Sequence, residues 1–221
     1  MHMYQMGKLV MVVAGLCILM SSYAQDERVH PYMQAVSDQF KMEEGYEIQM
    51  DYIREDIMQE SSSEGDGSIW MKGLMYKMIV DEYIVYFDGV KLYSQNTDNE
   101  EVYVSTPDPE EPGYLQSVPI RAIKAYQQDF KYQLMGESNF MGKQRIEIQL
   151  YPLDLTGPYS MLKLYIHPST MKLEAFVLKH KEGINYTMIL TSTEGNQALD
   201  NSDFTFDQQA YPDTEIIELL D

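Results

Sequence analysis

Residues able to support catalysis or bind a metal are few in this sequence, and their spacing does not group them. Beyond the first 24 residues the histidines are His30, His167 and His180, and none has a partner at a metal-ligand spacing such as HExxH. His167 precedes a proline, which favours a turn. The chain has neither the GxSxG motif of serine hydrolases nor a P-loop. We therefore expect no enzyme, no metal centre and no cofactor.

One run of oxygen donors, Asp98-Asn99-Glu100-Glu101, has side chains of the kind that Ca²⁺ prefers. Its spacing does not fit the loop of an EF-hand. We interpret the run as the solvated tip of a hairpin.

The most regular feature is an alternation of apolar and polar residues. In one stretch Tyr46, Ile48, Met50 and Tyr52 alternate with polar side chains, and in a later one Leu74, Tyr76, Met78 and Val80 repeat the pattern. A period of two places one face of a strand in water and the other against a core or a ligand. Methionines recur in these stretches, and their flexible side chains can adapt to ligands of varying shape.

The elements around these stretches predict one α+β domain over residues 25–221. A stripe of apolar residues predicts a helix over about 27–42, and three prolines predict a loop over 107–113. A short helix is predicted over 119–127, and Asp88-Gly89 indicates a hairpin. Strands are predicted near 45–59, 67–80, 82–87, 91–95, 101–105, 129–135, 143–151, 160–167, 171–180 and 184–193. Because no βαβ alternation appears, the sheet should be antiparallel, with consecutive strands as neighbours.

The N-terminus has the pattern of a secretory signal peptide. Lys8 precedes an apolar run from Leu9 to Met20, and Ser22-Tyr23-Ala24 forms a small-x-small cleavage site. We expect cleavage after Ala24 and a periplasmic mature chain. The alternative, acylation at Cys17, is less favoured because Leu16 precedes the cysteine and the apolar run continues beyond it.

The composition excludes some partners. The formal net charge is −19, which opposes binding to nucleic acid or to an anionic membrane surface.

Several blocks of sequence resemble the outer-membrane lipoprotein carrier family, the LolA-like proteins. Residues 64–72 (EGDGSIWMK) resemble the family's Gly-x-Leu-Trp-Val-Lys strand start, and residues 87–93 (FDGVKLY) resemble its Asp-Gly hairpin. Residues 146–152 (IEIQLYP) resemble its Leu-Thr-Pro strand end, and residues 201–206 (NSDFTF) with 215–217 (EII) resemble its C-terminal Phe-x-Phe region. The blocks span about residues 27–219 in the family's order.

The resemblance implies a strongly curved antiparallel sheet forming an unclosed β-barrel, with an N-terminal helix and a short middle helix covering its concave face. It also implies partners: acylated lipoproteins or other lipids, an inner-membrane lipoprotein-releasing transporter and an outer-membrane acceptor. Gly73-Leu74 stand where the family often has Arg-Pro, and the family's arginine is thought to hold the lid closed. Arg54 and Arg121 are candidate substitutes.

We therefore predict a monomeric periplasmic carrier that holds the acyl chains of lipoproteins in an apolar cavity and shuttles them toward the outer membrane. The predicted cavity residues are Tyr46, Ile48, Met50, Tyr52, Leu74, Tyr76, Met78, Ile146, Ile148, Leu162 and Leu164. The alternative is a non-catalytic structural or interaction protein of the cell envelope, on the same fold with a filled interior, or a general lipid-binding protein on that fold.

Overall fold

A computed structural model describes residues 25–40, 45–108 and 121–219, and within them one large sheet dominates. The strands are β1 (Tyr46–Asp56), β2 (Ser61–Lys72), β3 (Met75–Val80), β4 (Tyr83–Phe87), β5 (Leu92–Asn96), β6 (Glu101–Ser105), β7 (Phe130–Phe140), β8 (Lys143–Pro152), β9 (Tyr159–Ile166), β10 (Leu173–His180), β11 (Ile184–Gly195) and β12 (Glu215–Glu218). The helices are α1 (His30–Gln39), α2 (Arg121–Lys124) and α3 (Tyr126–Asp129), with 3-10 turns at Glu27–Val29 and Asn201–Phe204. None of these helices is long and apolar enough to cross a membrane.

The strand order is β12-β6-β5-β4-β3-β2-β1-β11-β10-β9-β8-β7. Pairing of β1 with β11 joins two meanders of consecutive strands into one curved sheet. All pairs are antiparallel except β12 with β6, which is parallel. The two end strands, β12 and β7, are not paired with each other, so the sheet does not close. The predicted α+β fold with an unclosed β-barrel is confirmed.

The largest boundary error concerns the β1–β2 hairpin. Residues 60–66 lie between two strands predicted from the sequence, yet Ser61 to Gly67 form the first half of β2 and pair with Asp56 to Met50 of β1. The long partner strand supplies a hydrogen-bonding ladder that outweighs the turn-like composition. The glycines make room for the partner's side chains: a Cβ atom at Gly65 would lie 2.8 Å from the ring of Tyr52.

The predicted single strand 67–80 is also wrong, because a turn at Gly73 and Leu74 divides it into β2 and β3. Gly73 has a φ of +65°, a left-handed conformation that glycine adopts at little cost. The Asp88-Gly89 hairpin is observed between β4 and β5, where the Asp88 carboxylate accepts hydrogen bonds from the backbone N–H groups of Val90 and Lys91.

The helical predictions hold in part. The N-terminal helix forms from the 3-10 turn at Glu27 to the end of α1 at Gln39, and residues 41–44 lie outside the described part. The middle helix is two four-residue pieces, α2 and α3. Most of the predicted loop 107–113 lies outside the described residues.

The sheet has two faces with different covers. We call the side that contacts α1 and α2 the inner face, and these helices with α3 the helical cover. Met33 and Val36 of α1 and Ala122 of α2 are buried against inner-face side chains. Residues 196–214, the C-terminal cover, place Phe206 against Tyr86 of β4 on the outer face. Both faces of the sheet are therefore partly shielded from water, by two different segments.

Candidate ligand-binding cavity

A cavity of about 170 Å³ lies between the inner face and the helical cover. Its lining side chains are Phe40, Ile48, Met50, Ile69, Met71, Tyr76, Met78, Ala122, Ile123, Phe130, Pro152, Tyr159, Met161, Leu162, Leu164, Leu173, Phe176, Leu178 and Leu190. These side chains are apolar except for the hydroxyl groups of two tyrosines. The described lining therefore offers no charged group to a ligand.

Four methionines border the cavity: Met50, Met71, Met78 and Met161. They come from four different strands on opposite walls of the curved sheet. Because a methionine side chain has three rotatable bonds and no branch, it can refill or vacate space more easily than leucine or isoleucine. The shape of this cavity can therefore change without a change in the backbone.

The two tyrosines of the lining are Tyr76 of β3 and Tyr159 of β9. Burial raises the pKa of the Tyr76 hydroxyl above its ordinary value, and the nearby Tyr159 raises it further. Burial likewise raises the pKa of Tyr159. Both hydroxyls therefore stay protonated at physiological pH, which makes them neutral hydrogen-bond donors.

The structure brings six of the predicted site residues together around the cavity, namely Ile48, Met50, Tyr76, Met78, Leu162 and Leu164. Three more, Tyr46, Ile146 and Ile148, belong to the same buried inner-face cluster but are not part of the lining. Tyr46 packs against Phe40, with ring centroids 6.1 Å apart. These three side chains fill the core beside the cavity.

The structure places the two remaining predicted residues elsewhere. Leu74 lies in the turn between β2 and β3 and is 42% exposed, because the strand predicted through this position ends at Lys72. Tyr52 is buried near the β1–β2 hairpin, and its hydroxyl donates a hydrogen bond to the Asp81 carboxylate. That bond, with burial, raises the pKa of Tyr52 to about 12. Its polar end is thus engaged outside the cavity.

Some lining residues were not predicted although the sequence contained a signal for them. Ile69 and Met71 continue the alternation on β2, where they pair with Ile48 and Tyr46 of β1. Phe176 and Leu178 do the same on β10. By contrast, Ala122 and Ile123 sit in a four-residue helix whose position depends on tertiary contacts, so periodicity could not select them.

Two glutamine side chains, one just before the 3-10 turn that leads into α1 and one at the last residue of α1, attach this helical segment to the sheet. The Gln25 amide donates to the Phe130 carbonyl oxygen at 3.1 Å and accepts from the Tyr132 N–H at 3.2 Å on the edge strand β7. At the other end the Gln39 amide accepts from the Leu173 N–H at 2.8 Å and donates to its carbonyl oxygen at 3.4 Å on β10. These contacts fix α1 across the inner face.

The short helices α2 and α3 are attached both to α1 and to the sheet. The Tyr126 hydroxyl lies 2.6 Å from Nδ1 of His30 on α1, and donates to it when the histidine proton is on Nε2. The Leu153 N–H donates to the Asp129 carbonyl oxygen at 2.9 Å. Within the described residues, His30 is thus a group that joins the two parts of the cover.

Of the two arginines considered as a lid latch, Arg54 is the one whose side chain the structure describes. Arg54 pairs with Asp56 on its own strand, with 3.7 Å between the guanidinium nitrogen and the carboxylate oxygen. The side chain of Arg121 lies outside the described part.

The other candidate residues take part in turns. The Nδ1 atom of His167 accepts hydrogen bonds from the backbone N–H groups of Ser169 and Thr170, both at 3.2 Å, in a turn. At the predicted hairpin tip, the Asn96 side chain accepts hydrogen bonds from the backbone N–H groups of Asp98 and Asn99. In the part of the chain that the structure describes, no group of three or more His, Cys, Asp or Glu residues could hold a metal ion.

Sequence comparison gives no relative: no family model matches the chain, and neither does a curated protein. Structural comparison finds similar folds. An uncharacterised conserved protein from Thermus thermophilus matches with a TM-score of 0.54 and 7% identity, over 87% of this chain and 99% of that one. A LolA superfamily protein from Nitrosomonas europaea matches with a TM-score of 0.45 and 10% identity, over 80% and 97% of the two chains. A DUF1329 family protein from Desulfovibrio piger matches with a TM-score of 0.46 and 11% identity, over 83% and 98%.

These likenesses concern the fold alone. The unclosed, mostly antiparallel sheet with helices on one face agrees with the architecture that the sequence predicts.

Proposed function

We propose that this protein is a non-enzymatic carrier that binds the acyl chains of lipoproteins in the cavity and shuttles them toward the outer membrane. The observation that carries the proposal is the apolar cavity between the inner face and the helical cover. Each methylene group that leaves water contributes about 0.8 kcal/mol, so such a space suits a hydrocarbon chain. A lining without charged side chains matches that kind of ligand.

The cavity is smaller than a complete acyl chain requires. A volume of about 170 Å³ resembles the engineered cavity of about 150 Å³ that binds benzene, whereas sites for larger ligands span roughly 300–1,000 Å³. Loading must therefore enlarge the space. The lining methionines can change rotamer, and α2 with α3 can move away from the sheet while the glutamine contacts keep α1 in place.

The cellular part of the proposal rests on the N-terminal sequence. Residues 1–24 would be removed after Ala24, and residues 25–221 would act as a monomeric periplasmic domain. Its partners would be an inner-membrane lipoprotein-releasing transporter and an outer-membrane acceptor. Fractionation of the host with N-terminal sequencing would show Gln25 as the first residue of the exported protein; an uncleaved chain in the cytoplasm would contradict this part.

The carrier proposal is tested by native mass spectrometry of protein purified from its host. We expect a population with added mass that organic solvent extracts as acyl lipid, and uptake of a fluorescent acyl probe by the extracted protein. Recovery of lipid-free protein alone, with no probe uptake, would count against the proposal.

The small volume also supports the second candidate, a structural or interaction protein of the envelope with a nearly filled interior. The two candidates differ in how they respond to a larger side chain in the cavity. A tryptophan at Met78 should abolish probe uptake by a carrier with little loss of stability, whereas a filled core should lose stability by about 1–3 kcal/mol.

A further inference from the structure

The β1–β2 hairpin extends beyond the strand that lies next to it. β2 pairs with β1 from Ser61 onward, but with β3 only from Gly67 to Lys72. Residues 61–65 therefore have a partner strand on one side and, within the described residues, no partner strand on the other. We call this stretch the free edge. Its residues are exposed, except that Gly65 is half-buried.

The backbone of the free edge is oriented for the addition of a strand. In an antiparallel ladder, successive residues direct their N–H and C=O groups alternately to the two sides of a strand. Lys72 and Met75 close the two-residue turn between β2 and β3, so the backbone groups of Lys72 point toward β3. Counting back in twos, Ser62 and Glu64 direct their backbone groups away from β1. An added strand can therefore form hydrogen bonds with both residues.

The end strand β7 is protected in a way that the free edge is not. Side chains of Gln25 and Asp26 accept hydrogen bonds from the N–H groups of Tyr132 and Leu134, at 3.2 and 3.0 Å. A register shift before Gly136 then interrupts the strand. Such devices keep exposed strand edges from pairing with other chains. The free edge contains no proline, no lysine and no bulge, so its backbone is open to a partner strand.

The outer face of the hairpin is acidic around the free edge. Four exposed carboxylates alternate with inward-facing side chains, namely Asp51, Glu55, Glu64 and Asp66. Asp51 lies directly opposite Asp66, and like charges in that position destabilise a strand pair. The one cation of the hairpin, Arg54, pairs with Asp56, and within the described residues none of the four carboxylates forms an ion pair. A cationic partner would relieve this repulsion.

The charge of this region decides which kind of strand fits the free edge. A second copy of the chain would bring Glu64 and Asp66 against the same carboxylates, so self-pairing is opposed at neutral pH. A strand with basic side chains at alternate positions would instead place each of them beside a carboxylate. On the inner face the ring of Tyr52 lies over Gly65, where an apolar side chain of the added strand can pack against it.

We propose that the free edge binds an extended segment of a partner protein by antiparallel strand addition, and that this segment has Lys or Arg at alternate positions. Its basic side chains lie on the outer face beside Glu64 and Asp66, and the apolar side chains between them lie beside Gly65 and Tyr52. Strand addition takes its affinity from main-chain hydrogen bonds and its specificity from alternate side chains. The interaction goes beyond the carrier function and does not depend on the cavity.

The first experiment titrates ¹⁵N-labelled protein, residues 25–221, with capped peptides at neutral pH and low ionic strength, and follows the amide resonances by nuclear magnetic resonance. The alternating peptide TKVKVKT should shift the resonances of Ser62 and Glu64. The peptide TKKKVVT has the same composition and charge without the alternation, and should bind at least about fivefold more weakly. Equal affinity for the two peptides would show attraction by charge alone and overturn strand addition.

Two backbone-methylated forms of the alternating peptide test the main-chain hydrogen bonds. In an antiparallel added strand the central lysine, opposite Glu64, directs its N–H toward β2, and the neighbouring valines direct theirs away. Methylation of the backbone nitrogen of that lysine should weaken binding by at least about tenfold, whereas methylation of a neighbouring valine should change it by less than about twofold. Equal effects of the two methyl groups would contradict the proposed pairing.

Matched protein variants, each lacking two carboxylates, test the role of the acidic face. Glu64→Gln with Asp66→Asn should weaken binding of the alternating peptide by about fivefold. Asp98→Asn with Glu100→Gln, in the turn between β5 and β6, should leave it unchanged. Thermal melts confirm that both variants are folded. Equal weakening in the two variants, or a concentration-dependent dimer that excludes the peptide, overturns the proposal; the dimer would assign the free edge to a second copy.

Discussion

The two covers of the sheet differ in how they meet it. Under the helical cover a space of about 170 Å³ remains, although α1 is fixed at both ends. Under the C-terminal cover the side chains meet directly: Phe206 lies edge-on to Tyr86 at 6.4 Å and stacks on Tyr211 at 5.8 Å, by ring centroids. The same sheet thus has a cavity on its inner face and an aromatic cluster on its outer face. The cavity is therefore confined to the side that the helical cover occupies.

The two covers are attached to the sheet in different ways, and this explains why only one of them leaves a cavity. The C-terminal cover is irregular chain that follows the sheet closely: the Lys72 ammonium donates to the Leu199 carbonyl oxygen at 2.6 Å, and β12 then joins the edge of the sheet. Asp200 and Asp203 form a capping box on its 3-10 turn. From the helices, only Ala122 and Ile123 of the four-residue helix α2 are among the described residues that line the cavity.

The largest expected effect on stability comes from removing a buried side chain on the outer face. Replacing Phe206 by alanine should lower the free energy of unfolding by about 3–5 kcal/mol, because it leaves a cavity among packed aromatic rings. The matched change Met78→Ala, beside a space that already exists, should cost less, about 1–2 kcal/mol. Urea denaturation measures both. Equal losses would show that the two covers are packed alike.

A larger side chain should also cost less stability in the cavity than on the outer face. Met78 of β3 faces the cavity, whereas Ile84 of the neighbouring strand β4 is buried on the outer face. Met78→Trp should cost less than about 1 kcal/mol and abolish binding of N-phenyl-1-naphthylamine, since the new ring occupies the free space. Ile84→Trp should cost about 1–3 kcal/mol and leave binding intact. The distinction between the two faces fails if Met78→Trp proves to be the more destabilising variant.

A pH-dependent contribution to stability should come from the outer face. Burial opposes ionisation of Glu147, but hydrogen bonds from Gln149 at 2.6 Å and Lys163 at 3.0 Å hold its pKa below the ordinary value. A carboxylate with a lowered folded pKa stabilises the protein above its unfolded pKa, and this contribution is lost as the pH falls through the folded pKa.

Glu147→Gln should therefore cost about 1–2 kcal/mol at pH 7 and progressively less below about pH 4.5. Urea denaturation at a series of pH values measures the difference between the variant and the wild type. A difference that stays constant down to about pH 3 would contradict this role of the carboxylate.

The smallest expected effect concerns the link within the helical cover. Tyr126→Phe removes the hydrogen bond to His30 and should cost about 0.5–1.5 kcal/mol, with faster release of a bound fluorophore as α3 detaches more easily. Tyr103→Phe serves as the control, because that hydroxyl bonds to Glu101 at the surface. Stopped-flow displacement measures the release rates. Identical rates in the two variants would show that α3 does not control access.

Strands and cavity residues could be predicted from the sequence where residues of one kind recur clearly at every second position. Ile48 and Met50 alternate with polar residues, and Tyr76 and Met78 recur at the same period on either side of Lys77, so their inner-face positions follow from the period of two. The first half of β2 was missed because serine and glycine have low strand propensity, and pairing with a long partner overrides that preference.

The covers were harder to predict than the strands. The stripe of α1 predicted a helix, but the shortness of α2 and α3 and their contacts depend on tertiary structure. The parallel pairing of β12 with β6 also has no local signal, since it joins segments that are far apart in the sequence. The volume of the cavity depends on how far the sheet and the helical cover fail to fill the space between them. No single stretch of sequence therefore determines it.

The most direct test of the cavity uses nuclear magnetic resonance with ¹³C-labelled methionine methyl groups. On addition of methyl octanoate, the resonances of Met50, Met71, Met78 and Met161 should shift, because these methyl-bearing side chains border the hollow. Met58 and Met141, which are 80% and 60% exposed in hairpin turns, should not. Unchanged cavity resonances at saturating ester, or shifts confined to the exposed pair, would contradict an acyl-binding site beneath the helices.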